Sequence, residues 1–390
     1  MALIKTFQYR LYPTASQRKT MDSTIETCRH FYNDFLAERK TAYEERKENI
    51  GKFAQLRKVK VLKETNPYAK NIHSHVLQVA VADLDKAFQA FFRRLKAGET
   101  PGFPRFKCRN RFKSIEYTYG DGCKLRHDEN GRKHFYIQNV GEVRMCFHRP
   151  IPQNSEIKHA VIKQINTRWY VCLMVKLPGQ IALHQATDKQ VGIDLGLKNL
   201  LAFSTGELVN NPRWLEENLL KLRSLQRHAT RQTKNSQRQK QTYSRIASLH
   251  EQIANQRRDY LHKVANHLVR EFDLVAIEDL SLSFMNHNRH LSRSSHDAGL
   301  GELRQFLEYK AEEAGVQVVA VNPRNTSQIC SKCGRIVPKE LSVRIHACPD
   351  CGLILDRDVN AARNILVLAL QIPPGRGGQA VTWAAAPNVA

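Results

Sequence analysis

The stretch from 330 to 359 carries Cys330-Ser331-Lys332-Cys333, then Cys348-Pro349-Asp350-Cys351, then Asp356-Arg357-Asp358-Val359. Two thiolates two residues apart on a tight turn grip one face of a tetrahedral ion, and a second such pair closes the site. The pairs are separated by 14 residues, one below the usual zinc-ribbon spacing and within reach of a short hairpin. Gly334 and Gly352 each follow a pair, where a knuckle turn needs positive φ. The pattern predicts structural Zn²⁺ on Cys330, Cys333, Cys348 and Cys351. Disulfides are the weaker reading, because nothing at the N-terminus resembles a secretory signal and a reducing compartment is expected.

Outward from this module, the flanks read as α/β. Val191-Gly192-Ile193-Asp194-Leu195-Gly196 is an apolar strand holding one acid, with Leu200–Phe203 as its hairpin partner. Leu274-Val275-Ala276-Ile277-Glu278-Asp279 is a second apolar strand ending in an acid. Between them a basic region, 215–270, predicts two helices broken near Lys234-Asn235-Ser236. A helix at 302–314, a strand at 316–321 and a closing helix at 358–368 complete this half. Further upstream, 114–177 alternates in short strands separated by Gly, Pro and Asn, which predicts a small β-barrel that the first strand, 4–11, also joins. Helical spacing follows Pro13, then a charged, poorly apolar stretch at 40–63. A second helix, opened by Asn66-Pro67 and ended at Gly98, follows, so the helices are inserted into the barrel. Phe103, Arg105, Phe106 and Lys107 lie in a stiff Pro-rich loop suited either to phosphate and base contact or to plugging a linker.

Charge limits the function classes. Lys+Arg 61 against Asp+Glu 37 leaves a net charge of +24, which favours a polyanionic partner through counterion release. The basic residues are spread along the chain without a lipidation motif, and the longest apolar run, 365–372, is too short for a bilayer, so no membrane partner is expected. The other five cysteines lack ligand spacing and read as small apolar residues.

An acid inside an apolar strand is unfavourable unless it is paired or bound to a metal. Asp194, Glu278 and Asp358, brought together from two strands and a helix start, would hold two divalent ions that activate water and stabilise a phosphoryl transition state. Their oxygen ligands suit Mg²⁺ or Mn²⁺. Taken singly, Asp194 can cap a turn, Glu278 can be a surface charge and Asp358 can be an N-cap.

The segments 192–196, 275–280 and 356–362 resemble the three motifs of a RuvC-type nuclease. With 325–334 and the Phe-Pro-Arg-Phe-Lys loop, the chain resembles the TnpB (OrfB) family of insertion-sequence-encoded proteins, relatives of type V CRISPR effectors. The resemblance implies a multidomain α+β protein. Its parts would be a wedge-like β-barrel (1–13 and 114–185) with an inserted helical recognition lobe (14–113), and an RNase H-like nuclease domain (186–323 and 353–370) holding a zinc ribbon (324–352). The Pro/Gly/Ala-rich tail, 371–390, is expected to be disordered. The implied activity is Mg²⁺-dependent cleavage of double-stranded DNA beside a short target-adjacent motif, directed by an RNA from the transposon end, in the prokaryotic cytoplasm at the nucleoid. By the same resemblance Asp194, Glu278 and Asp358 are the metal-binding carboxylates, and Asp356 and Asn360 stand behind them. The chain departs from the family pattern at Leu300, where a Trp is expected, and at His346, where an aromatic is usual.

Three other readings compete. An actin-like kinase shares Gly-Ile-Asp-Leu-Gly but gains nothing from zinc or positive charge. An idle RNA-guided repressor would be expected to have lost an acid of the triad. A DDE-like transposase would be expected to show a DNA-end-binding helix-turn-helix, and none is evident in the sequence.

Overall fold

The computed structural model describes residues 4–178, 185–280, 287–288, 291–340 and 342–371, which fall into two compact units, 4–178 and 185–371. The tail expected to be disordered lies outside the described residues, apart from Gln371. Among the described residues no helix is long and apolar enough to cross a membrane.

In the first unit β1 (Ile4–Tyr12) is followed by α1 (Ala15–Arg46), α2 (Lys52–Thr65) and α3 (Ser74–Lys96). Six strands come next: β2 (Ser114–Thr118), β3 (Cys123–His127), β4 (Lys133–Ile137), β5 (Gly141–Cys146), β6 (Glu156–Ile165) and β7 (Arg168–Lys176). The seven strands form one sheet in the order β2-β6-β7-β1-β5-β4-β3. Its edges, β2 and β3, are consecutive in the chain and joined by residues 119–122, with a bridge between Tyr119 and Cys123. Seven flat strands would span roughly 29 Å at about 4.8 Å each, further than four residues reach at about 3.5 Å each. The sheet therefore curls so that its edges meet at this corner. One hydrophobic core joins the sheet to the helices, running from Phe7 and Tyr9 through Phe31, Phe35 and Leu84 to Trp169.

One expected helix start is corrected here, and one stretch that the sequence left without an element gains helices. The charged stretch 40–63 is helical over most of its length, because α1 continues to Arg46 and α2 begins at Lys52. Only Gln55 and Val59, four apart, are buried on α2, too narrow a stripe to signal a helix in the sequence. The helix expected to open at Asn66-Pro67 starts instead at Ser74. Asn66 Oδ1 accepts from the Tyr68 amide at 2.9 Å, and the chain turns there.

The second unit is built on β8 (Gln190–Leu195), β9 (Asn199–Phe203), β10 (Leu208–Asn210), β11 (Leu274–Glu278) and β12 (Gln317–Val321). They form a mixed sheet in the order β10-β9-β8-β11-β12. β8, β9 and β10 meander antiparallel, whereas β11 lies parallel to both β8 and β12. Between β10 and β11 come α4 (Trp214–Glu217), α5 (Leu219–Arg231) and α6 (Gln237–Glu271). The break between the last two falls where expected, with Asn235 at φ +64° and Ser236 capping α6. After β11 come α7 (Ser292–Ala298) and α8 (Leu300–Ala314), and α9 (Arg357–Leu370) closes the unit.

Side-chain alternation sets the layers. Val191 and Ile193 of β8 and Val275 and Ile277 of β11 pack with Leu261 and Leu268 of α6 and Leu303 of α8. Leu274 and Ala276 of β11 and Val319 and Val321 of β12 point to the other face, against Ile365 and Ala369 of α9. Strand β11, between β8 and β12, is buried on both sides, as its unbroken apolar run requires. Leu300, the departure from the family pattern, is buried in the first of these layers.

Candidate active site

Parity along two strands decides which way the acids face. Gly192 and Asp194 alternate with Val191 and Ile193, and Ala276 and Glu278 alternate with Val275 and Ile277. Ala276 stands opposite Gly192 and Ile277 opposite Ile193, so the next step of the parallel register sets Glu278 beside Asp194. Both acids thus stand at the C-terminal ends of adjacent strands, on the face that α9 covers.

Gly192 brings the third acid in. A Cβ built on Gly192 would lie 2.1 Å from the Ala362 carbonyl oxygen and 2.8 Å from Leu366 Cβ, so α9 crosses β8 at a distance only glycine allows. Asp358 is four residues before Ala362 on the same face of α9, and Asp194 is two residues beyond Gly192 on β8. These steps are about 6 Å along the helix and about 6.6 Å along the strand, so Asp358 arrives over Asp194. The Gly192→Ala variant is expected to push α9 outward and destabilise the fold by about 1–3 kcal/mol. A displacement near 1 Å is expected to lower DNA cleavage about 100-fold. Melting and cleavage rates check both; a variant with wild-type cleavage would show that this crossing does not set the acids.

The electrostatics agree with the geometry. Burial holds the half-buried Asp194 carboxyl well above the usual carboxylate range; Glu278 and Asp358 raise it further, Arg357 opposes them, and Asp356 adds a smaller push upward. Burial also raises Glu278, which is 6% exposed, against a hydrogen bond from the Thr326 hydroxyl that lowers it. Arg357 Nε lies 3.4 Å from Asp358 Oδ1. The negative charge of these mutually repelling carboxylates, with Glu278 and Asp358 buried and Asp194 half-buried, is only partly offset by Arg357, and hard divalent cations fit that donor set. Because the folded-state values lie above the unfolded ones, the native state keeps protons that the unfolded chain has released. Stability from these groups is therefore present at low pH and lost as pH rises from the usual carboxylate range through the raised value. Without added divalent ion, Asp194→Asn is expected to melt above the wild type by a margin that grows with pH. A margin independent of pH would contradict the coupling.

Asp356 and Asp358 divide the work at the start of α9. Asp356 is the N-cap, its Oδ1 accepting from the Asp358 amide at 2.8 Å and the Val359 amide at 3.3 Å. Of the three acids given an alternative structural role, Asp358 is thus not the cap, and its carboxylate stands in the first turn, 9% exposed. Asn360 binds backbone of the cysteine module: its Oδ1 accepts from the Ser331 amide at 3.0 Å and its Nδ2 donates to the Ile329 carbonyl at 2.7 Å.

The four cysteines converge as the spacing requires. Their Sγ atoms all lie within 4.8 Å of one another, with Cys330 to Cys351 at 3.5 Å and Cys333 to Cys348 at 3.6 Å. A tetrahedral ion with metal–sulfur distances near 2.3 Å needs separations of about 3.8 Å, whereas a disulfide needs about 2.05 Å. All nine cysteines are free. The backbone amides of Cys351 and Asp350 help draw the Cys348 thiol down to about 7, toward the thiolate a metal takes. Gly334 (φ +77°) and Gly352 (φ +67°) close the two knuckles, each donating its amide to the carbonyl of the first cysteine in its pair. The hairpin of β13 (Ile345–Ala347) and β14 (Ile354–Asp356) then runs into α9 without a linker. His346 is fully buried beneath it and accepts from the Lys339 ammonium.

The loop residues lie in the first unit. Phe103 meets Phe88 and Phe91 edge-on, with centroids at 5.6 and 5.5 Å. The Lys107 backbone is clasped by Asn33, and its carbonyl also accepts from Arg29. Arg105 and Phe106 remain exposed. Phe103 is itself 47% exposed, so its contacts leave much of the ring open.

The sequence did not single out Gly192 or Thr326 for these contacts. A glycine inside a buried strand is itself a signal of close backbone approach. Thr326 and Glu278, 48 residues apart, carry no such signal.

Comparison with known proteins adds family models and relatives. Residues 301–365 match the Cas12f1-like TNB domain, 174–289 match the family described as "Probable transposase" (OrfB of IS605), and 1–48 match its helix-turn-helix domain. The last match removes the argument made above from the lack of such a motif, although this segment holds β1 and one unbroken helix, α1. A Streptomyces pristinaespiralis protein named "Putative RNA-guided DNA endonuclease" is 32% identical, over 94% of this chain and 89% of its own length. The Escherichia coli K12 protein "Putative RNA-guided DNA endonuclease InsQ" is also 32% identical, over 94% and 92%. Among solved structures, Cas12f1 in a complex with sgRNA and target DNA aligns over 93% of this chain and 98% of its own, with TM-score 0.58 and 14% identity. The endonuclease CRISPR-Cas_phi3 aligns over 96% and 93%, with TM-score 0.59 and 8% identity. The fold is thus a mixed α/β, multidomain arrangement like that of Cas12 effectors.

Proposed function

The chain belongs to the TnpB/OrfB family of IS605 elements, and on that premise we propose that it is an RNA-guided DNA endonuclease. What supports the proposal is the register that sets Glu278 beside Asp194 on the face under α9, with Asp358 of α9 also acting electrostatically on Asp194. The strand order, three antiparallel strands with two parallel ones beside the first, supports the RNase H-like reading of 186–323 and 353–370. We read the curled sheet as the wedge-like barrel, α1–α3 as the recognition lobe and 324–352 as the zinc ribbon.

The three carboxylates would hold Mg²⁺ or Mn²⁺, and the cysteines Zn²⁺. Divalent ions at the carboxylates would supply Lewis-acid charge for hydrolysis of a phosphodiester. The chain's own part is to keep the acids close, largely buried and mutually repelling, so that they favour a cation over solvent. Arg357 offsets part of that charge, and the Asp356 cap fixes the first turn of α9 that presents Asp358. The excess of 24 positive charges supplies sequence-independent attraction for RNA and DNA, leaving sequence to be read by guide pairing. The guide is an RNA from the transposon end, and the protein acts in the cytoplasm at the nucleoid. All three acids are present in the sequence, which favours the nuclease over an idle repressor.

The test is to purify the protein co-expressed with its flanking DNA and sequence the bound RNA. One dominant species, running from the element's end into variable sequence, is expected. A heterogeneous mixture of host RNA would remove guided recognition and leave a basic metal nuclease.

A further inference from the structure

Thr326 connects the cysteine module to a catalytic carboxylate. It is 3% exposed, and its hydroxyl lies between Glu278 Oε1, in a buried contact, and the Pro323 carbonyl oxygen at 3.1 Å, its one proton going to the nearer carboxylate. Its backbone carbonyl accepts from Asn364 Nδ2 at 2.8 Å, and the same amide group donates to the Ile329 carbonyl at 2.7 Å. Asn360, one turn earlier on α9, also donates to Ile329 and accepts from Ser331, so two asparagines fasten the first knuckle and the turn before it to α9. That helix carries Asp358 in its first turn, and its N-cap, Asp356, is the last residue of the β13–β14 hairpin. One module therefore reaches two of the three acids by separate routes: Asp358 through β14 and the cap, Glu278 through Thr326.

We propose that Thr326 is a positioning residue for cleavage: its hydroxyl fixes one Glu278 oxygen and so aims the other at the space shared with Asp194. Glu278 ends its strand with three side-chain torsions, and a hydrogen bond from a backbone-pinned hydroxyl restricts where its carboxylate points. Proline at 323 and αL Asn325 (φ +62°) fix the turn that presents the hydroxyl. The inference rests on the nuclease reading and concerns how its site is held.

Thr326→Val keeps shape and removes the hydroxyl, whereas Thr326→Ser keeps the hydroxyl. Both are compared with the wild type as complexes with bound RNA. Zinc content, Mn²⁺ affinity by electron paramagnetic resonance and single-turnover cleavage are measured. Thr326→Val is expected to keep zinc and RNA and to lose about 10- to 100-fold in Mn²⁺ affinity and in cleavage rate, with Thr326→Ser recovering most of both. Wild-type Mn²⁺ affinity in Thr326→Val would overturn the proposal. So would loss of zinc in both variants alike, which assigns the residue to folding of the module. A wild-type complex that binds Mn²⁺ without cutting DNA would remove the nuclease reading, and the Mn²⁺ affinities would still decide the role of Thr326.

Discussion

Asp194→Ala is expected to abolish guided DNA cleavage while leaving RNA binding intact. Asp194 stands between Glu278 on the neighbouring strand and Asp358 above it, and both carboxylates act on it electrostatically. Removing the central member separates the other two and takes away a ligand they would share. Charge stabilisation by a bound metal is worth several kcal/mol, so the loss is on the order of a thousandfold or more in rate. The substitution also deletes a negative charge from a chain that already carries +24, so attraction for RNA is not reduced. Cleavage and filter-binding assays on one preparation separate the two effects. Undiminished cutting would exclude this carboxylate cluster as the active site.

Replacing Cys330 and Cys348 together with serine is expected to produce the second large effect. Zinc bound by comparable cysteine modules contributes on the order of 10–16 kcal/mol to their folding. Few other buried groups hold this module, since Ile336, Ile345 and Ile354 are all exposed. Without the ion β14 loses its anchor, and β14 runs directly into the Asp356 cap and Asp358. Zinc should fall from one equivalent per chain to none, and cleavage should fall with it. A zinc-free variant that cuts at the wild-type rate would show that the module does not support the triad.

The legibility of this chain follows the range of its interactions. The cysteine module was readable because C-x-x-C spacing and the following glycines are local requirements of tetrahedral thiolate binding. Asp194 and Glu278 stood out because an acid in an apolar strand contradicts the rest of its strand. α2 was not readable, since only Gln55 and Val59 are buried on it while its apolar Phe53, Val61 and Leu62 are exposed, so no apolar stripe marks it. The opening of α3 was misplaced because Asn66-Pro67 initiates a turn as readily as a helix. The Thr326–Glu278 contact and the Asn360–Asn364 clamp depend on tertiary approach alone. Gly192 lies between these cases: its place in a buried strand announces a close neighbour, but only the fold shows that the neighbour is the Ala362 carbonyl.

The most direct measurement of the central claim is cleavage by the RNA-bound protein of two plasmids with different target sequences, repeated after exchanging the variable part of the RNA. The account predicts a Mg²⁺-dependent cut only in the plasmid matching the RNA, moving to the other plasmid when the RNA is exchanged. Cutting that ignores the RNA sequence, or its absence in a complex with intact zinc and saturating Mg²⁺, would contradict it.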